Sequence, residues 1–255
     1  MDMTSYVPGT PCWIDLGSPN IEESVAFYTA MFGWSVQDMG PEAGNYRMCS
    51  LAGKSVAGIG PLQMPGAPPA WTTYVSVEDA DATASSVTQA GGQVLAPVMD
   101  VMGLGRMAVF MDAAGAVIAA WQPQAFAGSQ LVNETGTVCW NELMTRQPED
   151  AKAFYSAVFG WAPQVENWDS GPYTTWVNDG RAIAGMMPMD DSFDPEIPPY
   201  WMVYFAVDDT EATTAKAVEL GGQVYVQPMD IPPGKFSVVA DPHGAVMGII
   251  TPVPM

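Results

Sequence analysis

The sequence predicts an α+β protein of four βαβββ modules, paired into two domains with curved mixed sheets. Two internal repeats carry this prediction. Residues 12–34 align without gaps with residues 139–161, with 11 identities in 23 positions, and residues 71–100 align with residues 201–230, with 12 identities in 30. Because one module is too small to bury its own sheet, we expect the modules to pair.

The first module opens with a strand-like run from Cys12 to Gly17. Asn20 with Glu23 three residues later predicts a capping box at the start of the following helix, and Gly33 ends that helix. The corresponding helix of the second half starts with Pro148, which a first helical turn tolerates. Aromatic residues at helical spacing are expected to pack helix against sheet: Phe27, Tyr28, Phe32 and Trp34, with Phe154, Tyr155, Phe159 and Trp161.

The second module repeats this order of elements. A strand TTYVSV precedes a helix over 79–90, which Gly91 and Gly92 end, and three further strands follow with a turn at Gly115. The polar, glycine-containing stretch between the two repeats is a predicted linker. We therefore assign residues 1–124 to a first domain, 125–136 to the linker and 137–255 to a second domain.

Composition and charge exclude several classes of protein. The 28 Asp and Glu residues against 8 Lys and Arg give a formal net charge of −20, so we expect neither a nucleic-acid partner nor an anionic membrane partner. The three cysteines have no CxxC spacing, which favours reduced thiols. Because the sequence also shows no signal-like or membrane-spanning segment, we expect a cytoplasmic protein. The favoured partners are neutral or cationic.

The chain resembles the vicinal oxygen chelate superfamily of glyoxalases, bleomycin resistance proteins and dioxygenases. The resemblance lies in the four modules, the helix ends FYTAMFGW and FYSAVFGW, and the turns DAAGAV and DPHGAV. In detail the chain is similar to the two-domain glyoxalase-like proteins of actinobacteria. The resemblance implies two glyoxalase-like domains, each with an inward-facing site. It does not imply one activity, because this scaffold hosts many chemistries.

In metal-dependent members of this superfamily, ligands come from the first and last strands of a module. The resemblance places these positions on residues that are not ligands: Trp13, Thr72, Ala119, Trp140, Met202 and Gly248. The one histidine, His243, lies in a DPHG turn and is expected to be a turn residue in water. We therefore expect no metal ion and no other cofactor.

Strand alternation predicts the residues that replace the metal ligands. If Trp13 points inward, Asp15 does too, and Trp140 and Glu142 repeat the pair in the second half. Neighbouring strands add further candidates for an aromatic-lined, mostly apolar binding pocket in each half: Tyr46, Met48, Thr72 and Tyr74, with Tyr173, Met202 and Tyr204.

Two interpretations of the paired carboxylates stay open. Asp15 and Glu142 are candidate catalytic groups, or anchors for a cation, because an apolar pocket raises the pKa of a carboxyl group. Alternatively, each is hydrogen-bonded to neighbouring strand or tyrosine groups and is structural.

Several functions fit these observations. The first is a metal-independent protein that binds a small hydrophobic or cationic organic molecule, in resistance by sequestration or in secondary metabolism. The second is an enzyme of the same superfamily, of lyase, isomerase, hydroxylase or dioxygenase type, acting by acid–base chemistry or through an unrecognised metal site. A scaffold protein with decayed sites is the third. The chain is expected to be a monomer or a homodimer, since two halves supply within one chain the pairing that single-domain relatives obtain by dimerising.

Overall fold

The computed structural model of the chain describes residues 1–62, 66–168 and 171–253. In the first half the elements are, in order, β1 (Pro11–Ser18), α1 (Ile21–Phe32), β2 (Ser35–Asp38), β3 (Arg47–Leu51), β4 (Lys54–Pro61), β5 (Ala70–Ser76), α2 (Ala80–Gln89), β6 (Gln93–Asp100), β7 (Gly105–Met111) and β8 (Val117–Pro123).

In the second half the same order recurs: β9 (Val138–Thr145), α3 (Pro148–Phe159), β10 (Ala162–Trp168), β11 (Gly171–Asn178), β12 (Arg181–Pro188), β13 (Tyr200–Ala206), α4 (Thr210–Glu219), β14 (Gln223–Ile231), β15 (Gly234–Ala240) and β16 (Val246–Pro252). Strand, helix and three strands therefore occur four times. The predicted α+β class and the four modules are confirmed.

Each half forms its own curled, eight-stranded mixed sheet. The strand order is β2-β3-β4-β1-β5-β8-β7-β6 in the first half and β10-β11-β12-β9-β13-β16-β15-β14 in the second. Two modules join at the centre of each sheet, where β1 pairs antiparallel with β5 and β9 pairs antiparallel with β13. Pairing within a half thus completes the sheet that one module leaves unfinished.

The two faces of each sheet have different partners. Ile14 and Leu16 of β1 belong to a core that also contains helix α1 and residues of β13, β15 and β16 from the second half. A second core joins helix α3 to β5, β7 and β8 of the first half in the same way. The helix-bearing faces of the two sheets therefore share their cores, and the predicted aromatic packing of helix on sheet extends across both halves. Trp13 and Asp15, on the opposite side of β1, lie on what we call the inner face.

Buried hydrogen bonds connect the halves at equivalent places. Trp34 Nε1 donates to the carbonyl of Gly136 over 2.7 Å, and Trp161 Nε1 donates to the carbonyl of Gly9 over 2.6 Å. Across the middle, Thr73 Oγ1 donates to Asn141 Oδ1 over 2.9 Å. A buried donor without a partner costs about 1–3 kcal/mol, so these bonds define how the halves fit together.

The start of α1 differs in part from the predicted capping box. Asn20 Oδ1 accepts from the backbone N–H of Glu23, as expected of a helix N-cap. The reciprocal bond is not made, because the N–H of Asn20 donates to Ser18 Oγ. The Glu23 carboxylate instead lies 3.1 Å from His243 Nε2. The second predicted helix, over 79–90, is observed as Ala80–Gln89 and is capped by the Asp79 carboxylate.

Within the described parts of the chain, no helix combines the length and the apolar character needed to cross a membrane. The longest helices have 12 residues.

Candidate functional site

A hydrogen-bonded network of four side chains lies on the inner face of the first sheet. Trp13 Nε1 donates to Tyr46 Oη over 3.0 Å, and the Tyr46 hydroxyl donates to Asp15 Oδ2 over 3.1 Å. The Tyr74 hydroxyl donates to the same carboxylate oxygen over 3.0 Å. We call Trp13, Tyr46, Asp15 and Tyr74 the first network. Two strands, β1 and β5, and the residue before β3 bring it together.

The second sheet carries an equivalent set. Trp140 Nε1 donates to Tyr173 Oη over 2.9 Å, and the Tyr204 hydroxyl donates to Glu142 Oε2 over 2.6 Å. Tyr173 is also hydrogen-bonded to Glu142. We call Trp140, Tyr173, Glu142 and Tyr204 the second network. The eight residues are candidates chosen from the sequence, and their geometry brings each set of four together.

Two glycines make room for the tyrosines, and sequence reasoning missed them. A Cβ atom on Gly58 would lie 1.7 Å from Tyr46 Oη, and one on Gly185 would lie 1.9 Å from Tyr173 Oη. Gly58 pairs with Asp15 across β4 and β1, and Gly185 pairs with Glu142 across β12 and β9. The signal was available, because both Gly58 and Gly185 and the two tyrosines are separated by the 127-residue offset of the first repeat.

Burial dominates the electrostatics of both carboxylates. It raises the pKa of Asp15 to about 6, although hydrogen bonds from Tyr74 and Tyr46 act in the opposite direction. Burial raises the pKa of Glu142 as well, against hydrogen bonds from Tyr204 and Tyr173. The pKa of each of these four tyrosines is raised by burial and by the nearby carboxylate, so the hydroxyls remain hydrogen-bond donors. The first network thus offers a carboxyl group that can gain or lose a proton in mildly acidic solution, and in the second network burial favours the protonated form of Glu142 in the same direction.

The residues at the expected metal-ligand positions do not fit a metal ion. Trp13 and Trp140 donate hydrogen bonds and have no lone pair to offer a metal at these nitrogens. Ala119 pairs with Tyr74, and Gly248 pairs with Tyr204, whose ring would lie 2.2 Å from a Cβ at Gly248. In the described ranges no three His, Cys, Asp or Glu side chains are grouped closely enough to hold a metal ion.

The remaining candidate residues lie at the edges of the networks. Met48 packs against the apolar cluster that contains Trp13 and Tyr74. Thr72 is directly opposite Asp15 in the register of β1 and β5, and Met202 is directly opposite Glu142 in the register of β9 and β13. A threonine in one half therefore corresponds to a buried methionine in the other.

Different groups cover the two networks. In the first half, Phe126 from the linker packs edge-on against Trp13, with ring centroids 5.0 Å apart, and Trp121 Nε1 donates to the carbonyl of Phe126. In the second half, Trp168 stacks on Tyr173, with centroids 4.0 Å apart and planes inclined by 8°. Neither covering aromatic residue was singled out from the sequence, since both come from segments outside the two repeats.

Two prominent cavities lie apart from the carboxylates. One, of about 290 Å³, lies between the end of α1 and the start of α4, and the other, of about 300 Å³, lies between the N-terminal segment and the linker. Neither is lined by Asp15 or Glu142. Phe126 lines the second cavity and also packs on Trp13 of the first network. The predicted binding pockets on the inner faces stay a prediction.

His243 does not stand in water as expected. Its side chain is 17% exposed and its Nε2 atom lies 3.1 Å from Glu23 Oε2, without hydrogen-bond geometry. Helix α1, which carries Glu23, packs against the second half and covers the DPHG turn. The sequence pattern identified the turn but could not identify its neighbour from the other half.

Comparison with known proteins agrees with this architecture. The family model of the Glyoxalase/Bleomycin resistance protein/Dioxygenase superfamily matches residues 12–120 and 136–248, once in each half. A Mycobacterium tuberculosis (strain CDC 1551 / Oshkosh) protein named "Putative glyoxylase CFP32" is 42% identical, and the alignment covers 98% of each chain. The anthracycline biosynthesis protein DnrV of Streptomyces peucetius is 39% identical, with 97% of this chain and 95% of DnrV covered.

Solved structures are similar in fold at low sequence identity. The Mn(II)-bound glyoxalase of Novosphingobium aromaticivorans superposes with a TM-score of 0.66 at 16% identity, covering 96% of this chain and 82% of that chain. The 2,2',3-trihydroxybiphenyl 1,2-dioxygenase of Sphingomonas wittichii strain RW1 gives a TM-score of 0.65 at 13% identity, covering 96% and 91%. At these identities the similarity concerns the fold alone.

Proposed function

This chain belongs to the Glyoxalase/Bleomycin resistance protein/Dioxygenase superfamily, and on that premise we propose that it is a metal-independent binding protein for a small organic molecule. The ligand class is hydrophobic with a cationic or hydrogen-bond-donating group. Its biological setting is sequestration, resistance or secondary metabolism, the last in keeping with the relative from anthracycline biosynthesis. The assigned domains, 1–124 and 137–255, and the cytoplasmic location are part of this proposal.

One observation carries the proposal: each half has a tryptophan–tyrosine–carboxylate network whose tryptophan, Trp13 or Trp140, stands at a position expected for a metal ligand. The carboxylate accepts from two tyrosines, which helps an ionised form to persist on a buried surface. An ionised carboxylate among aromatic rings attracts an organic cation, and the net charge of −20 favours the same ligand at longer range. A metal ion is not needed for any of these interactions.

A thermal-shift screen of planar aromatic and cationic compounds against the full chain tests the binding function. A ligand at about 100 times its Kd should raise the free energy of unfolding by about 2.7 kcal/mol, which is several degrees in Tm. Asp15→Asn and Glu142→Gln, tested one at a time, report which network a cationic hit uses, and at least one of the two variants should lose the shift. If no compound of either class stabilises the protein, the binding function is wrong.

Metal analysis of protein purified without chelators tests the other half of the proposal. Stoichiometric Fe, Mn, Ni or Zn that co-elutes with the folded chain would contradict metal independence. Substoichiometric metal that a single chelator wash removes without changing Tm would support it.

A second candidate is an enzyme that uses a carboxyl group as general acid or base, and the pKa of about 6 at Asp15 favours it. Any turnover of a screening hit should then fall steeply in Asp15→Asn and show a pH dependence centred near that pKa. Turnover that persists in the Asp15→Asn, Glu142→Gln double variant would exclude acid–base chemistry through these groups. Binding without turnover would leave the first proposal standing.

A further inference from the structure

The two tyrosines that reach the carboxylates differ in what lies against their rings. Tyr173 is buried, and the Trp168 indole is stacked on it nearly parallel, 4.0 Å away between centroids. Tyr46, at the same place in the repeat, is only partly buried, and no aromatic ring of the described residues pairs with it. Pro41 stands where the 127-residue offset places Trp168, in a short 3₁₀ turn. The first half therefore lacks the aromatic cover that the second half supplies itself.

One face of each tyrosine ring is fixed by glycine backbone. Cβ atoms on Gly58 and Gly60 would lie 1.7 Å and 3.1 Å from atoms of Tyr46, so the ring lies along β4 with this face against the strand. In the second half Tyr173 lies over Gly185 in the same way, and Trp168 takes the opposite face. The opposite face of Tyr46 is the equivalent stacking position.

The carboxylates differ in access as well. Asp15 is partly exposed. In the neighbouring strand β5, Thr72 lies directly opposite Asp15, and the exposed Ala70 comes two residues before Thr72. Glu142 is 6% exposed. In its half these β-strand positions hold a buried methionine, Met202, and the half-buried Tyr200. The carboxylate of the first half is therefore the more exposed of the two, and the side chains opposite it in the sheet are smaller.

We propose that the first half is the ligand-binding half, and that a planar aromatic cation stacks on the open face of Tyr46 while its charged nitrogen approaches Asp15. This inference rests on the proposed binding function and specifies its site and ligand class. The second half is its internal counterpart, with Trp168 in the place of the ligand ring and Met202 in the place of the ligand's charged end.

Titration calorimetry with proflavine, a planar tricyclic cation, tests the inference on the full chain at low salt. We expect one proflavine per chain. Tyr46→Leu removes the stacking ring and should weaken binding about tenfold or more, as expected for loss of an aromatic stacking surface. Thr72→Met copies the residue of the second half and should weaken binding as much by covering Asp15. Tyr46→Phe keeps the ring and should retain most of the affinity.

Matched variants in the second half are the controls. Tyr173→Leu and Trp140→Leu should each change proflavine affinity by less than about threefold. Loss of proflavine binding in either of these variants, together with unchanged binding in Tyr46→Leu, would place the ligand in the second half and contradict this inference. Tetrapropylammonium, a cation without a ring, should bind at least about tenfold more weakly than proflavine, and equal affinity would overturn the stacking.

The outcomes separate this inference from the proposed function. If proflavine binds but neither Tyr46→Leu nor Thr72→Met weakens it, the site is wrong while a binding function stands. If neither proflavine nor any compound of the thermal-shift screen binds, both are wrong. Near-UV circular dichroism and Tm identify a variant that fails to fold. If Tyr46→Leu fails to fold, the proflavine affinity of Thr72→Met compared with that of wild type tests the site, because Thr72 lies at the partly exposed rim of the network.

Discussion

The two halves of this protein share a scaffold and differ in their inner faces. The cores on the helix-bearing faces are built from equivalent elements, and Trp34 and Trp161 each donate a hydrogen bond from the indole to the other half. On the inner faces the same four-residue network is covered by linker residue Phe126 in one half and by strand residue Trp168 in the other. Duplication has preserved what holds the halves together, while the surface above the carboxylates has diverged.

The covers are also reciprocal. In the first half the tryptophan of the network is covered and the tyrosine is open, whereas in the second half Tyr173 is covered and Trp140 is partly exposed. Only in the first half does the uncovered ring lie beside a partly exposed carboxylate, Asp15. The halves therefore differ in the exposure of the carboxylate beside the uncovered ring, and not in the presence of such a ring.

The largest expected effect tests the equivalence of the scaffold. Trp34→Ala and Trp161→Ala each remove a nearly fully buried indole and its hydrogen bond to the other half. Each should lower the free energy of unfolding by about 3–5 kcal/mol, measured by urea denaturation. Because the two cores are equivalent, the two losses should agree within about 1 kcal/mol. A loss confined to one variant would show that the halves are not held together symmetrically.

The next effect concerns Asp15 and pH. Its folded pKa of about 6 lies above the ordinary value of 3.8, because burial disfavours the charged form. The folded state therefore binds the proton more tightly, and this group's contribution to stability is present below about pH 4 and lost as pH rises to about 6. The stability of Asp15→Asn relative to wild type should therefore rise over that window, by about 3 kcal/mol, because the shift is about 2 pKa units at about 1.4 kcal/mol per unit.

Urea denaturation of both proteins between pH 4 and pH 8 measures this difference. Glu142→Gln is the matched variant. Its stability relative to wild type should also increase as pH rises, because burial raises the pKa of Glu142 too. A stability difference between Asp15→Asn and wild type that does not change with pH would contradict the raised pKa.

The glycines beneath the tyrosines should give a smaller, unequal effect. In Gly58→Ala the new Cβ would displace the end of the Tyr46 side chain and break its bonds to Trp13 and Asp15, which costs about 1–3 kcal/mol. Gly185→Ala should cost more, because Trp168 stacked above Tyr173 hinders the same displacement. Urea denaturation compares the two. Tyr46→Phe, which removes the bonds without a clash, is the control, and equal stability of Gly58→Ala and wild type would contradict the close fit.

The smallest expected effect lies at the first helix of each half. Asn20→Ala removes the side-chain cap of α1 and should cost about 1 kcal/mol. Gln147, the residue before α3, makes no side-chain capping bond, so Gln147→Ala should be nearly neutral. Thermal unfolding of the two variants side by side measures the difference, and equal Tm values would refute this asymmetry.

Much of the fold and part of the candidate site could be predicted from the sequence. Repeats and apolar periodicity identified four modules, and alternation along β1 and β5 placed Trp13, Asp15 and Tyr74 on one face, because side-chain direction in a strand follows directly from position. The wrong predictions involve the other half. The Glu23 carboxylate lies near His243 instead of completing a capping box. A local sequence pattern cannot predict a neighbour more than 200 residues away in the chain.

The sequence by itself determined the duplication, the strand and helix order and the acidic charge, and its resemblance to a known family indicated the residues that stand in place of metal ligands. Only the tertiary structure decided which aromatic ring covers which network. Phe126 and Trp168 come from segments outside the two aligned repeats, and their positions depend on where the linker lies against the first sheet and how far β10 extends. Strand periodicity fixes the face of a side chain, but the access of a ligand depends on packing between segments distant in the chain.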